Sequence, residues 1–119
     1  MQAKDGFDKG APNEEAVAAV FRALGHPARC KIVDLLRESP ELRVGDIAQV
    51  FDMSLNGVSK HLKILEKAGL ISRRKSGTTH YISMRWEGLR PADSWLDARR
   101  HFWNKRLDLF EKQLEKDRT

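Results

Sequence analysis

Val44-Gly45-Asp46-Ile47-Ala48-Gln49-Val50-Phe51, then Asp52-Met53, then Ser54-Leu55-Asn56-Gly57-Val58-Ser59-Lys60-His61-Leu62-Lys63-Ile64-Leu65-Glu66-Lys67 is the stretch on which the fold turns. The first eight residues predict a short amphipathic helix, and Phe51-Asp52-Met53-Ser54 a turn. Asp52 falls where such a turn needs a left-handed residue, a conformation that Asp tolerates. Ser54 is placed to cap a second helix, 54–67, by accepting a backbone N–H, which contributes about 1 kcal/mol. Within that helix Val58, Leu62 and Leu65 follow a four, three spacing and predict one buried stripe. Asn56, Ser59, Lys60, His61 and Lys63 are left to point outward. Ala68-Gly69 ends the helix, and two extended runs, 70–74 and 79–84, joined by Lys75-Ser76-Gly77-Thr78, predict a β-hairpin wing over 70–84. A helix with a buried back and a basic, amide- and hydroxyl-bearing front meets the requirements for reading a DNA major groove.

Charge supports this independently. Residues 54–85 carry Lys60, Lys63, Lys67, Arg73, Arg74, Lys75 and Arg85 against Glu66 alone, whereas the whole 119-residue chain has a net charge of only +5. The positive charge is therefore concentrated in the segment that the pattern singles out, as on a polyanion-binding face. Lys60 and Lys63 suit phosphates, and Asn56, Ser59 and His61 suit base edges. Arg73, Arg74 and Lys75 lie at the wing tip beside Gly77, in reach of a minor groove or a phosphate. No nucleophile–base constellation, Gly-rich phosphate loop or paired-carboxylate motif is present, so an enzyme is not expected.

The length suits one domain with a modest core. A mean hydropathy of −0.58, no long apolar run and no signal-peptide pattern predict a cytoplasmic chain without a membrane partner. A single cysteine excludes an intrachain disulfide. Cys30 sits beside apolar positions and is expected as a small buried hydrophobe.

Residues 1–12 lack periodicity and are expected to be a disordered lead-in to a domain spanning 13–117. Asn13 can cap a helix opening with Glu14 and Glu15, whose apolar face holds Val17, Val20, Phe21 and Leu24 and which Gly25 ends. His26 is a cap or turn residue, and Pro27 opens the next helix, with Ile32, Val33, Leu35 and Leu36 inward. Pro91 starts a last helix reaching about Lys116. On it, Leu96, Trp103, Leu107, Phe110 and Leu114 make one continuous stripe. That helix would span roughly 35–40 Å, more than so small a core needs. Its surplus apolar surface, together with Val17, Val20 and Phe21, predicts a homodimer interface formed by the first and last helices. The expected fold is mainly α with a small β-hairpin, a dimeric winged helix-turn-helix of order α-α-α-α-β-β-α.

Three strings carry a family resemblance. Leu24-Gly25-His26-Pro27-Ala28-Arg29, Val58-Ser59-Lys60-His61-Leu62-Lys63-Ile64-Leu65 and the following Ala68-Gly69-Leu70 resemble the ArsR/SmtB-like family of small dimeric winged-helix repressors. Phe102-Trp103-Asn104-Lys105-Arg106-Leu107-Asp108 is similar to the ending of a metal-independent branch, often autorepressors. The resemblance covers about residues 14–115 and implies a repressor that occupies a pseudo-palindromic operator in double-stranded DNA. The family's C-x-C thiolate site falls here on Arg43-Val44-Gly45. Its last-helix site would have Asp97, His101, Glu111 and Glu115, with one imidazole among carboxylates, so no metal and no cofactor are expected. Where members often carry Gln after the serine cap this chain has Leu55, able only to touch a thymine methyl. The alternative on the same scaffold is a ligand- or metal-responsive sensor whose effector occupies the dimer interface.

Overall fold

The computed structural model describes residues 13–118, so the lead-in expected at 1–12 lies outside the described residues. The elements are α1 (Glu14–Leu24), α2 (Pro27–Glu38), β1 (Leu42–Arg43), α3 (Val44–Phe51), α4 (Leu55–Lys67), β2 (Ile71–Ser76), β3 (Thr79–Met84), a 3-10 turn (Trp86–Leu89) and α5 (Arg90–Arg118). The helix starts follow local chemistry. Asn13 Oδ1 accepts the N–H groups of Glu15 and Ala16, and His26 Nδ1 accepts that of Ala28 just before Pro27.

The sheet has three strands in the order β1-β3-β2, all antiparallel. The predicted hairpin is present, but its first strand runs on to Ser76, which leaves a turn at Gly77-Thr78 with Gly77 at φ 64°. Leu70, expected to begin that strand, is instead a fully buried core residue before it. The third strand was not expected. Two residues are too short for a period-two pattern, and Leu42 and Arg43 are held by pairing with Ile82 and Tyr81.

One core forms around α4. Val58, Leu62 and Leu65 are completely buried and share the cluster with Ile32, Leu36, Ile47, Leu70, Ile71 and Ile82. Burying each of these side chains contributes about 1.5–3 kcal/mol. Val17 and Val20 belong to the protomer's interior too, at 6% and 2% exposure. Expected as interface residues, they are spent on the protomer's own packing, because α1 turns them away from solvent. Cys30 departs from expectation in the opposite sense: it is exposed, its thiol donating to the Leu24 carbonyl at 3.0 Å.

The 3-10 turn lays the chain against the end of α4, where the Arg85 N–H donates to the Leu70 carbonyl at 2.8 Å. Beyond it α5 packs inward through Ala92 and half-buried Trp95 and Leu96, and every residue from Asp97 to Arg118 is exposed. The helix has 29 residues, about 44 Å at 1.5 Å per residue. Its protrusion explains a radius of gyration of 19.2 Å, against about 13 Å for a compact domain of this size.

Gly88 is where this arrangement tolerates least. A Cβ there would overlap the Gly69 carbonyl oxygen and backbone carbon, which cannot move aside as a side chain could. Gly88→Ala is expected to destabilise the protein by about 1–3 kcal/mol through overpacking, read as a lower urea midpoint at fixed protein concentration.

Candidate nucleic-acid interface

The turn between α3 and α4 is built as its residues require. Asp52 adopts φ 54°, ψ 43°, and its N–H reaches the Ala48 and Gln49 carbonyls, ending α3. Ser54 Oγ accepts the Gly57 N–H at 3.1 Å and starts α4. A Cβ on Gly57 would meet Ser54 Oγ at 3.4 Å and Met53 Sδ at 3.7 Å, ordinary contacts, so internal packing does not demand glycine there. The buried stripe then fixes the rotation of α4, leaving Leu55, Asn56, Lys60 and Lys63 exposed and Ser59 half-buried.

Between the front of α4 and the wing lies an open groove of about 640 Å³, lined among others by Arg43, Gln49, Leu55, Ser59, Arg73 and His80. The strand alternation splits the wing arginines. Arg73 shares the Ile82 face and pairs with Glu66 at 3.3 Å, while Arg74 is opposite Tyr81 on the other face. There Arg74 donates to both Glu41 oxygens, at 2.9 and 3.1 Å, and lies 4.4 Å over the Tyr81 ring. Hydrogen bonding from Arg74 holds the Glu41 carboxyl below its ordinary range, and the same bonds raise Arg74. Arg43 likewise caps α3, with Asp46 accepting from its backbone N–H and its guanidinium, which lowers Asp46. Lys60, Lys63, Lys67 and Lys75 are exposed and pair with no carboxylate among the described residues.

His61 is corrected by the structure. Expected on the outward front, it is half-buried against α2, with Nδ1 3.0 Å from Arg29 Nη1 and its ring 4.5 Å from that of His26. Burial, reinforced by His26 and Arg29, pulls its pKa below the ordinary 6.5. Its position follows from rotation: His61 adjoins Leu62 and lies three residues after Val58, at the margin of the buried stripe rather than on the front. Arg74, expected at a phosphate, is held by Glu41 and Tyr81 on the sheet face away from Ile82.

A profile described as a helix-turn-helix domain matches residues 24–74. The transcriptional repressor SdpR of Bacillus subtilis is 38% identical over 77 residues, 65% of this chain and 84% of that protein. The crystal structure of an ArsR family transcriptional regulator superposes with a TM-score of 0.72 at 28% identity, covering 79% of this chain and 96% of the other. The solution structure of a homodimeric winged helix-turn-helix DNA-binding domain from Mycobacterium bovis has a TM-score of 0.58 at 32% identity, covering 74% of this chain and 82% of that one. The chain belongs to the ArsR/SmtB family of winged helix-turn-helix transcriptional regulators.

In this ArsR/SmtB-family chain the last-helix metal candidates are spread along an exposed helix, and Asp97 is taken up by Arg100 at 2.8 Å. No cluster of three or more His, Cys, Asp or Glu side chains converges among the described residues. The sequence reading missed three contacts that shape the site: Arg29 with His61, Glu41 with Arg74, and Arg43 with Asp46. The last had a local signal, an Arg-x-x-Asp spacing across a helix start. The first two join residues more than thirty positions apart and leave no local trace.

Asn56, fully on the front of α4, is the sharpest test of base reading at this face. Asn56→Ala is expected to weaken binding to a selected duplex by about 1–3 kcal/mol and to random DNA very little, measured by fluorescence anisotropy. Equal losses on both would make Asn56 a backbone contact.

Proposed function

We propose that this chain is a homodimeric, metal-independent repressor that blocks a promoter by occupying a pseudo-palindromic operator. Ser54, Asn56, Ser59, Lys60 and Lys63 of the recognition helix, with Arg73 and Lys75 of the wing, form its DNA face. The observation that carries the reading is the set of lysines on α4 and the wing, the elements that flank the groove: Lys60, Lys63 and Lys75 are exposed and pair with no carboxylate among the described residues. Asn56 and Ser59, on the same helix as Lys60 and Lys63, act as base readers.

A single recognition helix spans a few base pairs, so selectivity at a promoter needs two. A two-fold pair sets such helices about 34–36 Å apart in successive major grooves. The protomer has the surface for pairing: Trp103, Leu107, Phe110 and Leu114 of α5 are 41–60% exposed, and Phe21 of α1, 40% exposed, meets Trp95 edge-on at 5.9 Å. Leu109 and Phe102 widen this surface. In our reading α5 and the exposed edge of α1 make most of the interface, and no catalytic role is assigned. No described helix is long and apolar enough to cross a membrane. We assign the protein to the cytoplasm, beside the chromosome. The repressor named among the relatives supports the sign of regulation, and the homodimeric neighbour supports pairing.

Six to ten phosphate contacts per dimer predict an affinity loss of about 10³–10⁵ between about 50 and 200 mM salt. Anisotropy titrations at several salt concentrations test this, and a nearly flat log–log plot refutes the electrostatic reading. The double substitution Leu107→Glu, Phe110→Glu is expected to yield a monomer by sedimentation that has lost selective DNA binding. Native protein that sediments as a monomer at micromolar concentration with selective binding intact would contradict the assembly. Stoichiometric zinc, cadmium, nickel or arsenite should leave the affinity unchanged. A sharp loss with one metal, abolished by His101→Ala, would assign the protein to the sensors instead.

A further inference from the structure

Beside its buried stripe, the recognition helix has a polar tie to the ends of α1 and α2, through a guanidinium that no part of the DNA face uses. Arg29, half-buried in the first turn of α2, donates from Nε to the Ala23 carbonyl at 2.6 Å and from Nη2 to the Arg22 carbonyl at 3.4 Å. These are carbonyls in the last turn of α1, and that of Arg22 also accepts the N–H of the C-cap Gly25 at 3.1 Å. Its Nη1 lies 3.0 Å from His61 Nδ1 on α4. Arginine has no acceptor, so this contact requires His61 Nδ1 to accept, with the ring proton on Nε2. The neighbouring His26, 4.5 Å away ring to ring, is constrained in the same sense, since its Nδ1 accepts the Ala28 N–H as the cap of α2. Three elements, α1, α2 and α4, thus meet at two imidazoles that serve as acceptors and one cation that serves as donor.

We propose that Arg29, His61 and His26 are positioning residues for DNA reading: a clasp that holds the recognition helix at a fixed angle to α1 while the His61 imidazole is neutral, and that releases it on acidification. The inference rests on the DNA-binding reading above and names a control of that same face. Protonating His61 turns its Nδ1 into a donor facing Arg29, and adds a positive charge beside the guanidinium. No opposing charge relieves this. The groups acting on His61 are His26 and Arg29. From α1, Arg22 directs its guanidinium to Glu15 at 3.9 Å. From α3, Asp46 is taken by Arg43, and from β2, Arg73 pairs with Glu66, so that among the described residues no carboxylate pairs with any member of the clasp. Lys60 and Lys63 on α4 itself are exposed.

The sign follows from the direction of the shift. His61 is held below its ordinary 6.5, so the clasp's contribution is complete above 6.5 and is lost as pH falls from there towards the depressed value. Acid also adds positive charge, which strengthens non-selective DNA binding. The quantity to follow is therefore the affinity ratio between two probes: a duplex that the protein selects from a random pool at neutral pH, and a scrambled duplex of the same composition. At constant ionic strength the wild-type ratio is expected to fall about tenfold between about pH 7.5 and about pH 5. The variant His26→Asn with His61→Asn keeps a good helix cap and an acceptor for Arg29 but cannot titrate. It should keep the ratio at neutral pH and hold it nearly constant in acid. Imidazole ¹⁵N shifts of the wild type, recorded without DNA, should show His61 protonated on Nε2 only at neutral pH. A variant ratio that falls as steeply as the wild type's, a flat wild-type ratio, or a His61 proton on Nδ1 at neutral pH would each overturn the clasp. If no duplex is selected at all, the DNA-binding reading fails and takes the clasp with it. Retained selection with one of those three results isolates failure to the clasp.

Discussion

Everything the DNA face does depends on how α4 is seated. Val58, Leu62 and Leu65 are closed off from water against Ile32 and Leu36 of α2, Ile47 of α3 and Ile71 and Ile82 of the sheet. Because the same stripe packs on both helices and strands, it fixes two things together: the rotation of α4 about its own axis and the distance from its front to the wing. Close-packed interiors transmit small changes, so one methylene lost from this stripe would be felt at the groove. The recognition helix has no independent orientation. Its exposed side chains face outward because three others are held inward.

The basic residues divide along the same lines. Arg43, Arg73 and Arg74 are engaged by Asp46, Glu66 and Glu41, and the lysines of the front and wing pair with no carboxylate among the described residues. This matches the chemistry of the two side chains. A guanidinium offers a planar fork of donors that suits a fixed two-point contact with a carboxylate, and an ammonium on a flexible stem follows a phosphate backbone that varies in position. Exposed ion pairs contribute little to stability. Here they matter geometrically: the Arg74–Glu41 pair pins the wing to the segment before β1, and Arg43–Asp46 fixes the start of α3 at the groove's edge.

The sequence was legible wherever a residue's role is set by its neighbours along the chain. Ser54, Asn13 and His26 cap helices because a cap needs only the next two or three residues, and Asp52 is left-handed because its turn is local. The buried stripe of α4 was legible because helical periodicity is. What escaped depends on residues far apart in sequence. β1 exists through its partner β3, and nothing near Arg74 in the sequence announces its pairing with Glu41. His61 was misplaced because a residue at the edge of a helical stripe is decided by the neighbouring helix, here by Arg29. Val17 and Val20 fit an interface and a core equally well by pattern, and only their depth under α5 and the other helices separates the two.

That last distinction bears on how assembly and recognition meet. With Val17 and Val20 committed to the core, α1 leaves Phe21 exposed, and the pairing surface of the proposed dimer would lie outward along α5, beyond Leu96. A pairing surface remote from α4 can set the spacing of two recognition helices only if the path between them is stiff. The path runs from α5 through Trp95 and Phe21 to α1, and from the end of α1 through Arg29 to His61 on α4. Two of its links are short polar contacts rather than broad apolar packing. Hydrogen bonds are directional, so these links add an angular constraint to the close packing that already fixes the rotation of α4. In the proposed dimer, the packed stripe of α4 and these polar links would together set the geometry of the pair.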